Sequence, residues 1–389
     1  MRITRRSFVG SLALPAFGRK SKAPPERPGI LLLVADNLPA WALGSYGNKE
    51  VRSPNLNRLA QMGTLFRNHF VCAPAPGPGR AVLLTGRTPM QLGEAQTLPP
   101  GEITIDKVLA SAGYAVGPAF GAPPAEAARF LNAQSPGKPF FLAVGLDNLR
   151  PPYQAPAKDL DLYAATTFET FSRDPIAPNA AEGKEMLADL RGNWRKYCAC
   201  LTALDDEVGT LTTAIFNRKL LDTTLVIFTG SCGALLGRHG LWDAGDASNP
   251  PNMFDESVRT PLFWSWPGHV PAQAFRTEMV SAYDLLPSIC DAAGATPPKR
   301  NLCGRSYLAL ATGKRLPKKH PWYNTVFAHY RGAEMARDDR YKLVVNPNEL
   351  YDIVLDAAEK SDQYANDQFL SVRNTLFSRL ATWKRQYSG

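Results

Sequence analysis

The sequence predicts an α/β fold with a mostly parallel central sheet flanked by helices, and a small C-terminal α+β subdomain. Three observations lead to this fold class. Short apolar runs alternate with helical patterns over about the first 300 residues, as in buried parallel strands joined by helices. The chain has 389 residues, 44% of them hydrophobic, which is enough for a large core. After about residue 300 the pattern changes to short strands and turns.

Four apolar runs are the candidate strands of the main sheet. Each is about seven to nine residues long and is bounded by turn-forming or charged residues, which is typical of a strand buried on both faces. They are GILLLVAD (29–36), PFFLAVGL (139–146), TTLVIFTG (223–230) and the more mixed TPLFWSWPG (260–268).

Helical periodicity occurs between these runs. One apolar face is formed by residues spaced three and four apart: Leu201, Leu204, Val208, Leu211 and Ile215. A second face is formed by Ile105, Val108, Leu109 and Ala112, and Gly113 follows at a position suited to a C-terminal helix cap.

The C-terminal part predicts antiparallel strands and a last helix. The segments NTVFAHY, AEMARDDRYKLVVN and ELYDI are short strand patterns, with turns at Asp338-Asp339 and Pro347-Asn348. Helical spacing then returns at Phe369, Val372, Leu376, Leu380 and Trp383. We therefore divide the chain into an α/β domain at 23–300 and a subdomain at 301–389.

The first 22 residues differ from the rest and predict export. Arg5-Arg6 precedes Ser7-Phe8 and a short apolar run to Phe17, a pattern that resembles a twin-arginine signal. This interpretation places the protein in the bacterial periplasm or outside the cell. A disordered basic tail is the alternative, and retention as an uncleaved anchor stays open. No apolar run reaches the roughly 18 residues that a membrane span requires.

The formal charge of +9 does not indicate a nucleic-acid partner. Residues 1–22 contain six Lys or Arg and no acid, so subtracting those six leaves +3 for the remainder. An excess located in a targeting segment is weak evidence for a polyanion partner.

Six cysteines lie at positions 72, 198, 200, 232, 290 and 303. None of their spacings matches a CxxC zinc motif. Cys198 and Cys200 would point in opposite directions on a helix, which argues against a bridge between them. We expect buried free thiols for most of the six, although export would permit a bridge.

Candidate functional residues follow two of the predicted strands. Asp36 ends the first run, and Ser231-Cys232 follow the third. Sites in parallel α/β sheets form at the carboxyl ends of strands, so any chemistry is expected near these residues.

Eight segments in this order resemble the sulfatase family of the alkaline-phosphatase-like superfamily. They run from about residue 28 to the C-terminus, and the stretches FFLAVG and GRHGLW resemble the iduronate- or choline-sulfatase-like branch. The segments are RPGILLLVADN, GSYGNKEVRSPNLNRLAQMGTLFRNHF, GRAVLLTGR, KPFFLAVGL, TTLVIFTGSCGALLGRHGLW, RTPLFWSWPG, YDLLPSICDAAG and ELYDI.

The resemblance implies a set of catalytic residues. A Cys or Ser in the motif C/S-x-P-x-R becomes formylglycine, whose hydrate attacks sulfur. Two Asp after the first strand, and an Asp-Asn or Asp-His pair after a later one, hold a divalent cation, usually calcium. Lysines, histidines and the motif arginine stabilise the sulfate. A hard cation prefers anionic oxygens, and developing negative charge is stabilised by fixed cations.

This chain departs from that pattern at most positions. In PGPGR the nucleophile position is Pro76, which has no nucleophilic group, whereas Arg80 is present. Cys72 does not replace it, because Pro76 then stands at the place of the motif arginine. The cation positions are Asp36-Asn37 and Ser231-Cys232, so that one expected carboxylate remains. We call these positions, together with Arg150 and Ala244, the degenerate site.

The sulfate-binding cations are also depleted. AFGAPP contains neither the lysine nor the histidine of the corresponding family segment. Asn148-Leu149-Arg150 replaces the family's KPH, and Ala244 replaces a lysine. Arg150 can bind an anion but cannot transfer a proton near neutral pH.

Several side chains have both a functional and a structural interpretation. Asp36 is interpreted as a strand-end carboxylate capped by backbone N–H groups rather than as a metal ligand. Arg80 is balanced between an anion contact and a structural role, and Arg150 is assigned to the solvated rim. We expect His239 to pack within the turn at 237–242 and Cys232 to be an inert buried thiol. The Trp264/Trp266 pair is expected to pack in the sheet.

The sequence thus predicts a sulfatase-like protein without ester hydrolysis and without a tightly bound cofactor. Anion binding is assigned to Arg80 and Arg150. The partner would be a sulfated carbohydrate or another exported protein. Two alternatives stay open: a hydrolase with different chemistry on sulfate or phosphate esters, and a module that binds sulfated carbohydrate or other anions.

Overall fold

The computed structural model describes residues 27–316 and 321–388. The predicted export segment at 1–22 lies outside these residues. Within the described part, no helix is both long enough and apolar enough to cross a bilayer.

The main sheet has seven strands in the order β3-β4-β1-β5-β6-β2-β7. Strands β3, β4, β1 and β5 are mutually parallel, β6 is antiparallel to both its neighbours, and β2 is parallel to β7. The bounds are Gly29–Ala35 (β1), Thr64–Phe70 (β2), Ala115–Val116 (β3), Phe140–Leu146 (β4), Thr224–Gly230 (β5), Arg259–Ser265 (β6) and Ala274–Ser281 (β7).

The helices cover both faces of this sheet. Their bounds are Pro54–Gln61 (α1), Pro76–Thr85 (α2), Pro89–Leu92 (α3), Ile105–Ser111 (α4), Pro124–Asn132 (α5), Ala157–Asp161 (α6), Leu190–Asn217 (α7), Asp255–Val258 (α8), Leu285–Ala293 (α9), Leu308–Ala311 (α10) and Leu370–Tyr387 (α11).

Alternate residues of β1 point to opposite faces and join different cores. Leu31 and Leu33 pack in the core that contains the predicted apolar face of α7. Ile30 and Leu32 pack in the core on the other face, with residues of α4 and α9. The mostly parallel α/β sheet covered on both faces is therefore confirmed.

The smaller sheet is antiparallel, in the order β11-β10-β9-β8. Its strands are Thr325–Tyr330 (β8), Ala333–Asp338 (β9), Tyr341–Val345 (β10) and Glu349–Asp352 (β11), and α11 packs against it. The predicted turns and the final helix are confirmed, although Phe369 lies just before α11.

The four predicted strands of the main sheet are confirmed, but one prediction about direction is wrong. The run TPLFWSWPG forms β6, which is antiparallel and not parallel to its neighbours. Trp264 and Trp266 are buried, as expected from strand packing. The cysteines are free thiols, five of them buried and Cys303 half-buried. The domain boundary at residue 300 stays a prediction.

Candidate functional site: the degenerate site at the carboxyl edge of the sheet

The ends of β1 and β5 bring two pairs of the degenerate site together. The strands are parallel, with Ala35 opposite Gly230, so the residues that follow each strand are neighbours. Ser231 N–H donates to the Ala35 carbonyl at 2.9 Å, and its hydroxyl donates to Asp36 Oδ1 at 2.5 Å. Asp36 and Ser231-Cys232 therefore lie side by side at the carboxyl ends of β1 and β5.

Asp36 is held by side chains. Arg80 Nη1 lies 3.2 Å from Asp36 Oδ2, and Ser231 occupies the other carboxylate oxygen. The expectation of backbone N–H capping is wrong, because the two carboxylate oxygens of Asp36 contact the Arg80 guanidinium and the Ser231 hydroxyl instead. Burial raises the pKa of Asp36, and the Arg80 charge opposes that rise.

Arg80 reaches Asp36 because of the way α2 begins. Ala75 precedes the helix and Pro76 is its first residue, where a proline ring matches helical φ and no backbone N–H is needed. Arg80 follows one turn later, with about a third of its side chain exposed, and its guanidinium lies 5.9 Å from the centre of the Phe120 ring. The residue at the nucleophile position therefore serves to start a helix.

Asn37 has a partner that the sequence analysis missed. Its amide donates to Asp243 Oδ1 at 2.5 Å, and the backbone N–H of Ala244 donates to the same oxygen at 2.8 Å. Burial raises the pKa of Asp243, while the positive charge of Arg150 acts against that rise. The sequence did offer a signal for Asp243 as a site residue, since it is an acid directly before Ala244 in the loop after a central strand.

Cys232 is fully buried beneath these residues. Its thiol sulfur accepts a hydrogen bond from the Asn37 backbone N–H at 3.4 Å. Burial raises the pKa of the Cys232 thiol well above its usual value, so the neutral form dominates. The arrangement matches the expected inert thiol rather than a nucleophile.

A pocket of about 270 Å³ lies beside the first residues of α2 and the loop that contains Asp243 and Ala244. Three residues of the degenerate site line it: Pro76, Arg150 and Ala244. The other lining residues are Pro74, Ala75, Gln96, Glu182, Asp243, Asp246 and Arg331. Three carboxylates therefore face two arginines, and Arg331 is already paired with Asp246 at 2.9 Å.

His239 belongs to a different environment. Its ring stacks on Phe254 at 3.7 Å between centroids, and its Nε2 lies 3.4 Å from Glu256. The expectation that it packs within the turn at 237–242 is wrong, because its partners are on the segment that leads into β6.

The donors at the cation positions do not fit calcium. Calcium binds six to eight oxygens and prefers carboxylates. At these positions one carboxylate remains, and it is paired with Arg80, while Asn37 is bonded to Asp243 and Cys232 offers soft sulfur. Within the described residues, no three His, Cys, Asp or Glu side chains are grouped so that they could hold a metal ion.

Comparisons with known proteins give consistent matches along the chain. The family model Sulfatase matches residues 28–121 and 125–295, and the model N-sulphoglucosamine sulphohydrolase, C-terminal, matches residues 237–386. Human arylsulfatase A is 31% identical over 81% of this chain and 74% of its own length. N-acetylgalactosamine-6-sulfatase of Sus scrofa is 28% identical, with 82% and 73% covered.

Solved structures share the fold. A phosphonate monoester hydrolase of Agrobacterium radiobacter has a TM-score of 0.76 and 21% identity over 93% of this chain and 96% of its own. A structure in complex with its substrate D-glucosamine-2-N,6-O-disulfate has a TM-score of 0.78 and 19% identity, covering 93% and 98%. The resemblance to the iduronate- or choline-sulfatase-like branch stays a prediction.

Proposed function

The chain belongs to the sulfatase family, and from this premise we propose that it is an exported member that does not hydrolyse sulfate esters. One observation supports the proposal most directly. The cation position nearest β1 is neutralised by the chain's own Arg80, which lies 3.2 Å from Asp36. A sulfatase needs a cation, a nucleophile and fixed positive charges, and this arrangement supplies only part of the last.

The nucleophile position supports the same proposal. Pro76 lines the pocket and begins α2. Because its side chain has no hydroxyl or thiol group, it can neither attack sulfur nor be oxidised to an aldehyde. Ala244 contributes no charge where the family places a lysine. Each absence removes an interaction that would be stronger in the transition state than in the ground state.

An ester-hydrolysis panel tests the proposal. The purified chain is incubated with aryl sulfates, sulfated sugars and phosphate monoesters, with human arylsulfatase A assayed alongside as the active control. We expect no turnover above that of an Asp36→Ala/Arg80→Ala variant. Turnover that disappears in that variant would contradict the proposal and favour a hydrolase with altered chemistry.

Metal content provides a second test. We expect the purified protein to contain far less than one equivalent of calcium, zinc or manganese per chain. Asp36 is the one carboxylate at the four cation positions, and its charge is already neutralised by Arg80. Elemental analysis after gel filtration measures this directly. One equivalent of any of these ions, retained after exchange into metal-free buffer, would contradict the proposal.

Anion binding at the degenerate site is the second candidate function. Arg150 favours it, because this arginine is exposed and lines the pocket. Arg80 does not, since its charge is directed to Asp36. The carboxylates of Glu182, Asp243 and Asp246 oppose an anionic ligand such as a sulfated sugar. Binding of a sulfated disaccharide that weakens with salt and with Arg150→Ala would support this candidate.

Export is proposed from the N-terminal segment alone. The proposed location is the periplasm or the extracellular space, and the proposed partners are sulfated carbohydrate or another exported protein. Replacing Arg5 and Arg6 by lysine is expected to retain the precursor in the cytoplasm, as cell fractionation would measure. Unchanged export of that double variant would contradict the twin-arginine interpretation.

A further inference from the structure

A second cavity lies far from the degenerate site. This C-terminal cleft, of about 1000 Å³, is bounded by α11, the segment that leads into β8 and the β9–β10 turn. Thr325 and Asp338 line the cleft at one end of the β8–β9 hairpin, whereas Arg331 lines the degenerate pocket at the other end. The six-residue strands separate the two by roughly 20 Å.

One wall of the cleft is a fixed aromatic platform. Arg305 lies 3.9 Å from the ring centre of Trp322 and 5.4 Å from that of Tyr323. Its guanidinium donates to the backbone carbonyls of Pro321 and Tyr323, each at 3.0 Å. Tyr323 is nevertheless 68% exposed. A large ring held by its backbone and open to solvent offers contact area at low entropic cost.

Trp322 is also held in place. Its indole N–H donates to the Met279 carbonyl at 2.8 Å, which fixes the ring plane against Arg305. At the base of the cleft, Trp383 stacks on Phe327 with ring centres 5.2 Å apart. The aromatic surface is therefore preorganised before any ligand arrives.

The cleft also carries polar and charged groups. Its charged lining residues are three arginines and three aspartates, of which Asp284 is buried: Arg305, Arg340, Arg379, Asp284, Asp338 and Asp339. Arg379 is 3.4 Å from Asp338, and the Asn324 amide donates to Asp339 at 2.9 Å. The side chain of Gln386, on α11, adds an exposed amide.

We propose that the C-terminal cleft binds an uncharged oligosaccharide of two or three sugar units. Sugar rings present apolar C–H faces that stack on aromatic rings, and hydroxyl groups that bond to planar carboxylate, amide and guanidinium groups. Two of the arginines already have carboxylate partners, since Arg340 lies 2.8 Å from Asp352 and Arg379 lies 3.4 Å from Asp338, and this favours a neutral ligand over a sulfated one. The volume is at the upper end of the range for small-ligand pockets, which suits more than one sugar.

Titration of the full chain with neutral sugars tests this proposal. Lactose, cellobiose, chitobiose and maltotriose are added separately while tryptophan fluorescence is followed, since Trp322 and Trp383 line the cleft. At least one sugar is expected to bind saturably below about 10 mM, as is usual for weak ligands. Tyr323→Ala should weaken that binding about tenfold or more, and Tyr323→Phe should preserve it.

Two control variants separate this site from the degenerate site. Phe216→Ala removes an aromatic ring of similar exposure on α7, and Arg150→Ala removes an exposed arginine that lines the degenerate pocket. Both are expected to leave neutral-sugar binding unchanged. The proposal is overturned if none of the four sugars binds below about 10 mM. It is also overturned if binding is insensitive to Tyr323→Ala or is lost with Arg150→Ala.

Discussion

The ion pair between Arg80 and Asp36 places a positive charge of the chain against the first carboxylate of the degenerate site. Burial makes an unpaired carboxylate costly, so the guanidinium stabilises a group that would otherwise favour the protonated form. Arg80 thus contacts a carboxylate of its own chain, whereas its contact with an external anion stays a prediction.

Removing Arg80 alone should show how far the ionised Asp36 depends on its counter-charge. We expect Arg80→Met to lower the free energy of unfolding by about 1–2 kcal/mol, because Asp36 loses its counter-charge while Arg80 itself is partly exposed. The double variant Asp36→Asn/Arg80→Met should recover most of the loss. Urea unfolding of the parent chain, Arg80→Met, Asp36→Asn and the double variant measures the coupling energy between the two residues. If the losses of unfolding free energy in the two single variants add up to that of the double variant, the predicted coupling between Asp36 and Arg80 is wrong.

Asp284 should make stability depend on pH. Burial raises its pKa to about 7, although its carboxylate accepts backbone N–H bonds from Ser281 and Arg305. The folded state therefore keeps a proton that the unfolded chain releases near pH 4. The stabilisation is complete below pH 4 and is lost as pH rises toward 7, by roughly 2–4 kcal/mol.

Asp284→Asn isolates this contribution. Between about pH 5 and 8, the unfolding free energy of the variant is expected to fall less steeply than that of the parent chain. Asp161→Asn, which alters a carboxylate with 83% of its side chain exposed, should leave the slope unchanged. Chemical denaturation at each pH measures the slopes, and parallel curves for all three proteins would contradict the prediction.

At the scale of secondary-structure elements, a buried ion network joins β10 to α8. Lys342 is fully buried, with its ammonium 2.6 Å from Asp255 and 2.5 Å from Glu359, and it donates to the Met253 carbonyl at 2.9 Å. Arg337 adds a second cation 3.0 Å from Asp255. Much of the positive charge beside these carboxylates therefore comes from β9 and β10 of the small sheet, through Arg337 and Lys342.

Lys342→Met should be strongly destabilising, because it removes the cation that lies between Asp255 and Glu359, and the remaining arginines, Arg337 and Arg259, lie against Asp255. We expect a loss of about 3–5 kcal/mol, measured by urea unfolding. Lys360→Met is the matched control, since it removes a surface lysine paired with Asp174. That control should cost at most about 1 kcal/mol. Equal losses in the two variants would contradict the role given to the buried network.

The elements that the sequence predicted are those with a single strong pattern. The runs that became β1, β4 and β5 are mostly apolar, because these strands are largely buried on both faces. Strand β2 was missed because polar residues such as Arg67 and Asn68 interrupt its apolar pattern. Strand β7 alternates exposed and half-buried residues at the sheet edge, and β3 has two residues.

The part of the candidate site that could be predicted is the part fixed by the ends of the strands. Asp36 and Ser231 follow adjacent strands, and the rule for parallel sheets placed any chemistry near them. The contacts of Asp36 with Arg80 and of Asn37 with Asp243 depend on side-chain direction and loop path. The spacing of residues in the sequence determines neither the side-chain direction nor the loop path, so only the structure identifies these partners.

At the scale of the whole molecule, one apolar core extends across the predicted boundary at residue 300. Ile30 of β1, Leu343 of β10 and Trp383 of α11 belong to the same buried cluster. Because the small sheet and its helix share this core with the main sheet, we expect the described parts of the chain to unfold together.

Trp383→Ala tests this cooperativity. Loss of the large side chain should lower the unfolding free energy by about 3–5 kcal/mol and shift the transition of the whole chain. Phe377→Ala, on the exposed side of the same helix, should change it by less than about 0.5 kcal/mol. Calorimetry and circular dichroism should both give one transition. A separate early transition in the tryptophan variant would indicate that the subdomain unfolds alone.

The internal counter-ion at Asp36 has a consequence for where the protein can work. A calcium-dependent fold loosens when chelators or ion-poor surroundings remove its ligand, because ligand binding contributes to stability by mass action. A guanidinium attached to α2 has no such concentration dependence. The melting temperature should therefore be the same in excess EDTA and in millimolar calcium, so that the chain would tolerate habitats in which divalent ions are scarce or fluctuate.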